Sequence, residues 1–154
     1  MSATRRAEVT WNGELLTGHG VVTAVSSGAF SALPVTWAAR TESPEGKISP
    51  EELLAAAHAS CYAMAFSGAL KRAGSPPDRL VVSADVTFDK VDGGWKVVSS
   101  ALTVRGVVPG MSEDAFVDAA EASRDGCPIS QALMGNVALS VDAALEVDPG
   151  SRGA

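Results

Sequence analysis

Apolar and polar residues alternate through AEVTW (7–11), and the turn pair Asn12-Gly13 closes that run. A second stretch, LLTGHGVVTAVS (15–26), ends at Ser27-Gly28, and a third, AFSALPVTWAAR, covers 29–40. Short runs with turn residues between them predict three strands joined as hairpins. Pro34 has no N–H for a ladder, so the third run is predicted at a sheet edge or broken by a bulge.

The period changes at residue 49. Ser49-Pro50-Glu51-Glu52 combines a capping serine, a proline suited to the first helical position, and a glutamate three residues after the serine. Glu51 suits the positive end of the helix dipole. The run that follows carries no charge for eighteen residues, Leu53 to Leu70, before Lys71, Arg72 and Gly74 supply stop signals. A helix this apolar is predicted to be buried on most of its surface. Its small residues, among them Ala55, Ala56, Ala57, Ala59, Ala63, Ala65, Gly68 and Ala69, let a neighbour approach the backbone closely. At about 24 residues it would be about 36 Å long. That is more apolar surface than one chain of this size covers, which predicts an obligate dimer sharing the helix.

Beyond the helix, RLVVSADVTFDKV (79–91), a turn at Asp92-Gly93-Gly94 and WKVVSSALTVRGVV (95–108) predict a long hairpin. Ser112 can cap a helix over SEDAFVDAAEASRD, Gly126 breaks it, and Cys127-Pro128 opens a short one, PISQALM. NVALSVDAALEV closes the chain as a strand. The predicted order is β-β-β-α-β-β-α-α-β, an α+β fold with an antiparallel sheet. One domain is expected over residues 1–147, followed by a loose tail at 148–154.

Length and composition fit a single globular domain: 154 residues, 46% hydrophobic and 19% charged. The net charge of −6 and the lack of any long Lys/Arg run argue against nucleic acid and anionic membranes as partners. No apolar stretch runs to about 18 uninterrupted residues, so no membrane span is predicted. The N-terminus shows no apolar segment of a secretory signal. Two cysteines are too few for a disulfide scaffold, which points to the cytoplasm and to thiols that are either inert or redox-active.

Those thiols are the main chemical candidates. Cys127 stands where a helix begins, a placement that lowers a thiol pKa. It serves equally well as a small N-cap. Cys61, mid-helix among alanines, reads by itself as a structural thiol. Arg40, at the end of the apolar VTWAA run, could activate a thiol, although a solvated arginine is the commoner role. His58 lies three residues before Cys61, and with His19 and Cys127 makes two His and two Cys. None of these has zinc-knuckle spacing, so no metal is predicted. A nucleophile elbow, GxGxxG and GxxxxGK[ST] are all missing, and no cofactor is predicted.

SPEELLAAAHASCYAM (49–64) resembles the helix signature of the OsmC/Ohr family of thiol peroxidases, and GCPISQAL (126–133) resembles its second cysteine motif. Trp11-Asn12-Gly13, the Arg40 segment, the KVDGGWKV hairpin and the final strand fall where that family has them. The AAHASC form, and an arginine just before the loop leading into the helix, place the chain nearer the OsmC branch. The resemblance implies an intertwined homodimer with sheets wrapped on a long, buried central helix. It implies an antioxidant, cysteine-based reduction of organic hydroperoxides to alcohols. Cys61 corresponds to the peroxidatic and Cys127 to the resolving cysteine, Arg40 to the thiolate-holding arginine, and Glu51 to the carboxylate orienting it. The implied redox-active Cys61–Cys127 disulfide would be reduced by an external dithiol of lipoyl type. The alternatives are a redox sensor or binding module on the same fold, a structural dimer with inert thiols, and a zinc site.

Overall fold

The computed structural model describes residues 1–147; the tail expected at 148–154 lies outside the described residues. Two compact units meet within one helix, the first ending at Leu53 and the second starting at Leu54.

The first unit holds an antiparallel three-stranded sheet, β1 (Glu8–Asn12), β2 (His19–Thr23) and β3 (Leu33–Val35), in the order β1-β2-β3. Asn12 pairs with His19, so the predicted tight turn at Asn12-Gly13 widens to a loop over 13–18. Gly18 closes that loop with its N–H on the Glu14 carbonyl at 2.8 Å. A Cβ on Gly18 would stand 2.3 Å from that same oxygen, so this close approach requires glycine. Pro34 occupies the edge strand, as its missing N–H requires.

The third predicted strand is corrected. Only Leu33–Val35 pairs, and Trp37–Thr41 forms a short helix, α1. Thr36 causes the change: its hydroxyl accepts the Ala39 N–H at 3.1 Å and caps the turn. Arg40 therefore sits in a helical last turn and not at a strand end.

The long helix α2 runs unbroken over Pro50–Arg72, and the Ser49 hydroxyl accepts the Glu52 N–H at 3.0 Å. Its burial departs from expectation. Within the second unit a stripe at spacing four, His58, Tyr62, Phe66 and Leu70, is buried, while Met64 stays 70% exposed. Residues four apart stack on one face, and only that face meets a core in this chain. By length and composition α2 would also pass as a membrane span, contrary to the sequence-based exclusion. His58, Ser60 and Ser67 interrupt its apolar run, and its inner stripe packs on protein.

The second unit also contains β4 (Arg79–Val91), β5 (Gly94–Val107), α3 (Glu113–Gly126), α4 (Pro128–Leu133) and β6 (Ala138–Leu145). β4 and β5 form the long antiparallel hairpin, with a bulge at Thr87/Phe88. β6 pairs parallel to β5, so this sheet is mixed, and the chain has two three-stranded sheets where one antiparallel sheet was expected. The reason lies in the connection: a crossover through α3 and α4 brings the chain back to run in the same direction. The second unit's core gathers Tyr62, Phe66 and Leu70 with Leu102, Val104, Val108, Phe116, Ala120 and Cys127. Gly106 makes room for α3, since a Cβ there would lie 2.7 Å from the Phe116 ring.

Candidate active site

Within the first unit the structure joins Arg40 to Glu51. The guanidinium of α1 meets the carboxylate in the first turn of α2 through Nε, 3.1 Å from both carboxylate oxygens, and Nη2, 2.7 Å from Oε1. This forked contact fixes the plane of the guanidinium. Glu51 is nearly buried, 8% exposed, and the Arg40 guanidinium also lies 5.8 Å from the Trp37 ring centroid. Arg40 borders a cavity of about 490 Å³ lined largely by apolar side chains, among them Val9, Trp11, Leu15, Trp37 and Leu53.

In the second unit Cys61 and Cys127 come within hydrogen-bonding reach of each other, both as free thiols. Cys127 is fully buried and caps α4. Pro128 takes the first helical position, so the first free N–H groups of α4 are those of Ile129 and Ser130, and both favour a negative charge on the Cys127 sulfur. Burial pushes the Cys127 thiol up. The Ser130 N–H, the Cys61 thiol, the Ser130 hydroxyl and the Ile129 N–H outweigh it, and the net shift is down. Cys61 goes the other way. Burial raises it most, the Ile129 N–H pulls it back, and Cys127 raises it further, leaving the net shift up. The two thiols are thus shifted in opposite directions, Cys61 up and Cys127 down.

Exposure divides the thiols differently. Cys61 is partly exposed and opens onto a groove of about 650 Å³ between α2 and α3, lined by small residues such as Ala65, Gly68, Ala119 and Ala122. A molecule in that groove meets Cys61 before the buried Cys127.

Sequence reasoning missed the buried polar group beside the thiols. His58 Nδ1 is 2.7 Å from the Ser100 hydroxyl and Nε2 is 2.8 Å from the Ser130 hydroxyl. Both ring nitrogens are thus engaged, and burial lowers the imidazole's pKa, favouring the neutral ring. A signal was present: His58 continues the Tyr62-Phe66-Leu70 stripe, and Ser100 continues the inward alternation of Leu102 and Val104 on β5. Among the described residues no three His, Cys, Asp or Glu side chains gather to hold a metal.

A mixed α+β chain with two cysteines brought together at a helix start is a dithiol protein by construction. Residues 43–142 match the family described as OsmC-like protein, and the chain belongs to that family. It is 35% identical over 139 residues to the Peroxiredoxin OsmC of Escherichia coli (strain K12), covering 90% of this chain and 96% of that one. The fold is similar to the organic hydroperoxide resistance protein OhrB of Bacillus subtilis, with a TM-score of 0.70 at 24% identity, covering 90% of this chain and 97% of that one. It is also similar to an organic hydroperoxide resistance protein from Vibrio cholerae with captopril in one active site, with a TM-score of 0.70 at 21% identity, covering 93% and 94%.

Proposed function

We propose that the chain is a thiol-dependent peroxidase that reduces organic hydroperoxides to alcohols, with Cys61 as the attacking sulfur and Cys127 as the resolving one. The observation that carries this reading is the juxtaposition of a groove-facing Cys61 with a buried Cys127. The 35% identity to a peroxiredoxin supports it.

The Cys61 thiolate attacks one peroxide oxygen; the O–O bond breaks, the alkoxide takes a proton and leaves as alcohol, and Cys61 becomes a sulfenic acid. The Cys127 thiolate then attacks the Cys61 sulfur, the S–S bond forms, and the hydroxyl leaves as water after gaining a proton. An external dithiol reduces the disulfide by two exchange steps and is itself oxidised to a disulfide. A lipoyl-type dithiol is the reductant the family resemblance suggests, and a cytoplasmic setting suits two free thiols.

Cys61 needs a cation to hold its thiolate, because its neighbours within the second unit raise its pKa. Arg40, already oriented by Glu51, is the group proposed for this role. Glu51 and Cys61 are ten residues apart on one unbroken helix, about 15 Å at 1.5 Å per residue. The arginine pair serving a given Cys61 is therefore assigned to a second copy of the chain, in a homodimer with two composite sites. The exposure of Met64 on α2, at 70%, supports that association.

The test is sulfenic-acid trapping. Cys127→Ser protein given one equivalent of cumene hydroperoxide should yield a trappable Cys61 sulfenic acid and one equivalent of alcohol. If the peroxide is untouched by Cys127→Ser yet consumed by Cys61→Ser, the two roles are reversed. A sensor that oxidises once and is never recycled by a dithiol is the second reading, separated by steady-state turnover.

A further inference from the structure

The proposed mechanism leaves unused a buried polar chain, Ser100 of β5, His58 of α2 and Ser130 of α4, whose last member stands at the third position of the helix that Cys127 begins, the spacing at which a side chain reaches back to the cap residue. His58, Ser100, Ser130 and Cys127 are all buried, with His58, Ser100, Ser130 and Cys127 at 0% exposure. Buried polar groups are costly unless each finds a partner, and here every link has one.

We propose that His58 is a positioning residue for Cys127: its Nε2–H donates to the Ser130 oxygen, which leaves the Ser130 hydroxyl hydrogen directed at the Cys127 sulfur. The donor order then follows from the inventory of groups. An imidazole whose Nε2 carries the proton must accept at Nδ1, and the Ser100 hydroxyl is there to donate at 2.7 Å. With its oxygen already accepting from His58, Ser130 has one hydrogen to give, and a thiolate is the best acceptor in reach. In the opposite order Ser130 would donate to Nε2, and its oxygen would accept from a Cys127 thiol. The chain thus has two arrangements, one matched to the thiolate and one to the thiol, interconverted by moving the ring proton between Nε2 and Nδ1 while the hydroxyls turn over. The titratable or charged groups around Cys127 are Cys61, His58 and Tyr62 of α2 and, acting on Tyr62, Arg124 of α3; β5 contributes the Ser100 hydroxyl.

This role rests on the reading of Cys127 as a resolving thiol, but its first test needs no peroxide. In Cys61→Ser protein, Cys127 is the remaining thiol, and its ionisation is followed by ultraviolet thiolate absorbance against pH. Adding Ser130→Ala should raise the midpoint by about one unit, tenfold less thiolate at a given pH, the size of one lost hydrogen bond to a charged acceptor. Ser130→Thr, which keeps the hydroxyl, should return the midpoint toward the parent's. A midpoint unmoved by Ser130→Ala, or displaced equally by Ser130→Thr, overturns the proposal. A second measurement does not depend on how Ser130 variants fold: the ring-nitrogen resonances of His58 in Cys61→Ser protein should change with the Cys127 titration. Resonances that ignore that titration also overturn it. If the midpoint moves as described while no variant consumes peroxide, the relay stands and the peroxidase reading fails. With turnover established, Ser130→Ala should slow disulfide closure after one equivalent of peroxide.

Discussion

Cys61, on the flank of α2, and Cys127, at the start of α4, lie close enough for each to shift the other's pKa, while differing in exposure and in the direction of those shifts. Burial pushes the Cys61 thiol up, whereas the groups at the start of α4 bring the Cys127 thiol down. The accessible sulfur is thus the weaker acid of the two, so an attack by Cys61 depends on help from outside this pair.

That help is assigned to Arg40. Arg40→Ala should cut the rate of sulfenic-acid formation by about 10² or more, the scale of losing one preorganised charge at a reacting centre. Arg40→Lys should rescue only in part, because an ammonium lacks the fork that engages both Glu51 oxygens. Stopped-flow oxidation and the pH profile of Cys61 alkylation measure this. A profile identical in Arg40→Ala and the parent removes Arg40 from the chemistry. Arg40→Ala should also cost about 1–3 kcal/mol of stability, since it leaves the nearly buried Glu51 carboxylate without its partner.

The composite site is tested by complementation. Cys61→Ser chains refolded together with Glu51→Ala chains should give a heterodimer with one intact site, built from Cys61 of one chain and the Arg40–Glu51 pair of the other. Its activity should be about half that of the parent dimer, and far above that of either mutant homodimer. A purified heterodimer no more active than the Glu51→Ala homodimer contradicts the shared site.

Tyr62 gives a pH signature of the second unit's core. It is the chain's single tyrosine, fully buried, with its hydroxyl donating to the Ala120 carbonyl at 2.7 Å. Burial raises its pKa well above the ordinary value. The phenol is therefore neutral in the folded protein at pH values where the unfolded chain has ionised. Its contribution to stability is complete below the unfolded pKa near 10 and is lost as pH rises from there toward the folded value, by up to about 1.4 kcal/mol per unit. Tyrosinate absorbance should appear only as the protein unfolds, and Tyr62→Phe should flatten the loss of stability above pH about 10. A tyrosinate midpoint near 10 in protein that is still folded contradicts this.

Local chemistry was readable in the sequence wherever neighbouring residues settle it. The Ser49 cap, the Asp92-Gly93-Gly94 hairpin, the Ser112 cap and the Cys127-Pro128 helix start all appear as expected. What was missed depends on tertiary partners. Thr36 competes for the backbone after Val35 and turns a predicted strand into α1. The parallel pairing of β6 depends on where α3 and α4 return the chain, which periodicity does not report. His58 looked like a possible ligand because its serine partners, Ser100 and Ser130, come from distant segments. Among the residues predicted for the site, Arg40 and Glu51 pair within the first unit, and Cys61 and Cys127 within the second.

The central claim is a catalytic cycle through Cys61, and dithiol-dependent steady-state consumption of peroxide tests it most directly. With a lipoyl-type dithiol, the parent protein should consume cumene hydroperoxide over many turnovers and prefer it to hydrogen peroxide, each buried methylene adding about 0.8 kcal/mol. Cys61→Ser should abolish the activity. Turnover that survives Cys61→Ser, or a parent protein that oxidises once and is not recycled by any dithiol, would contradict the account.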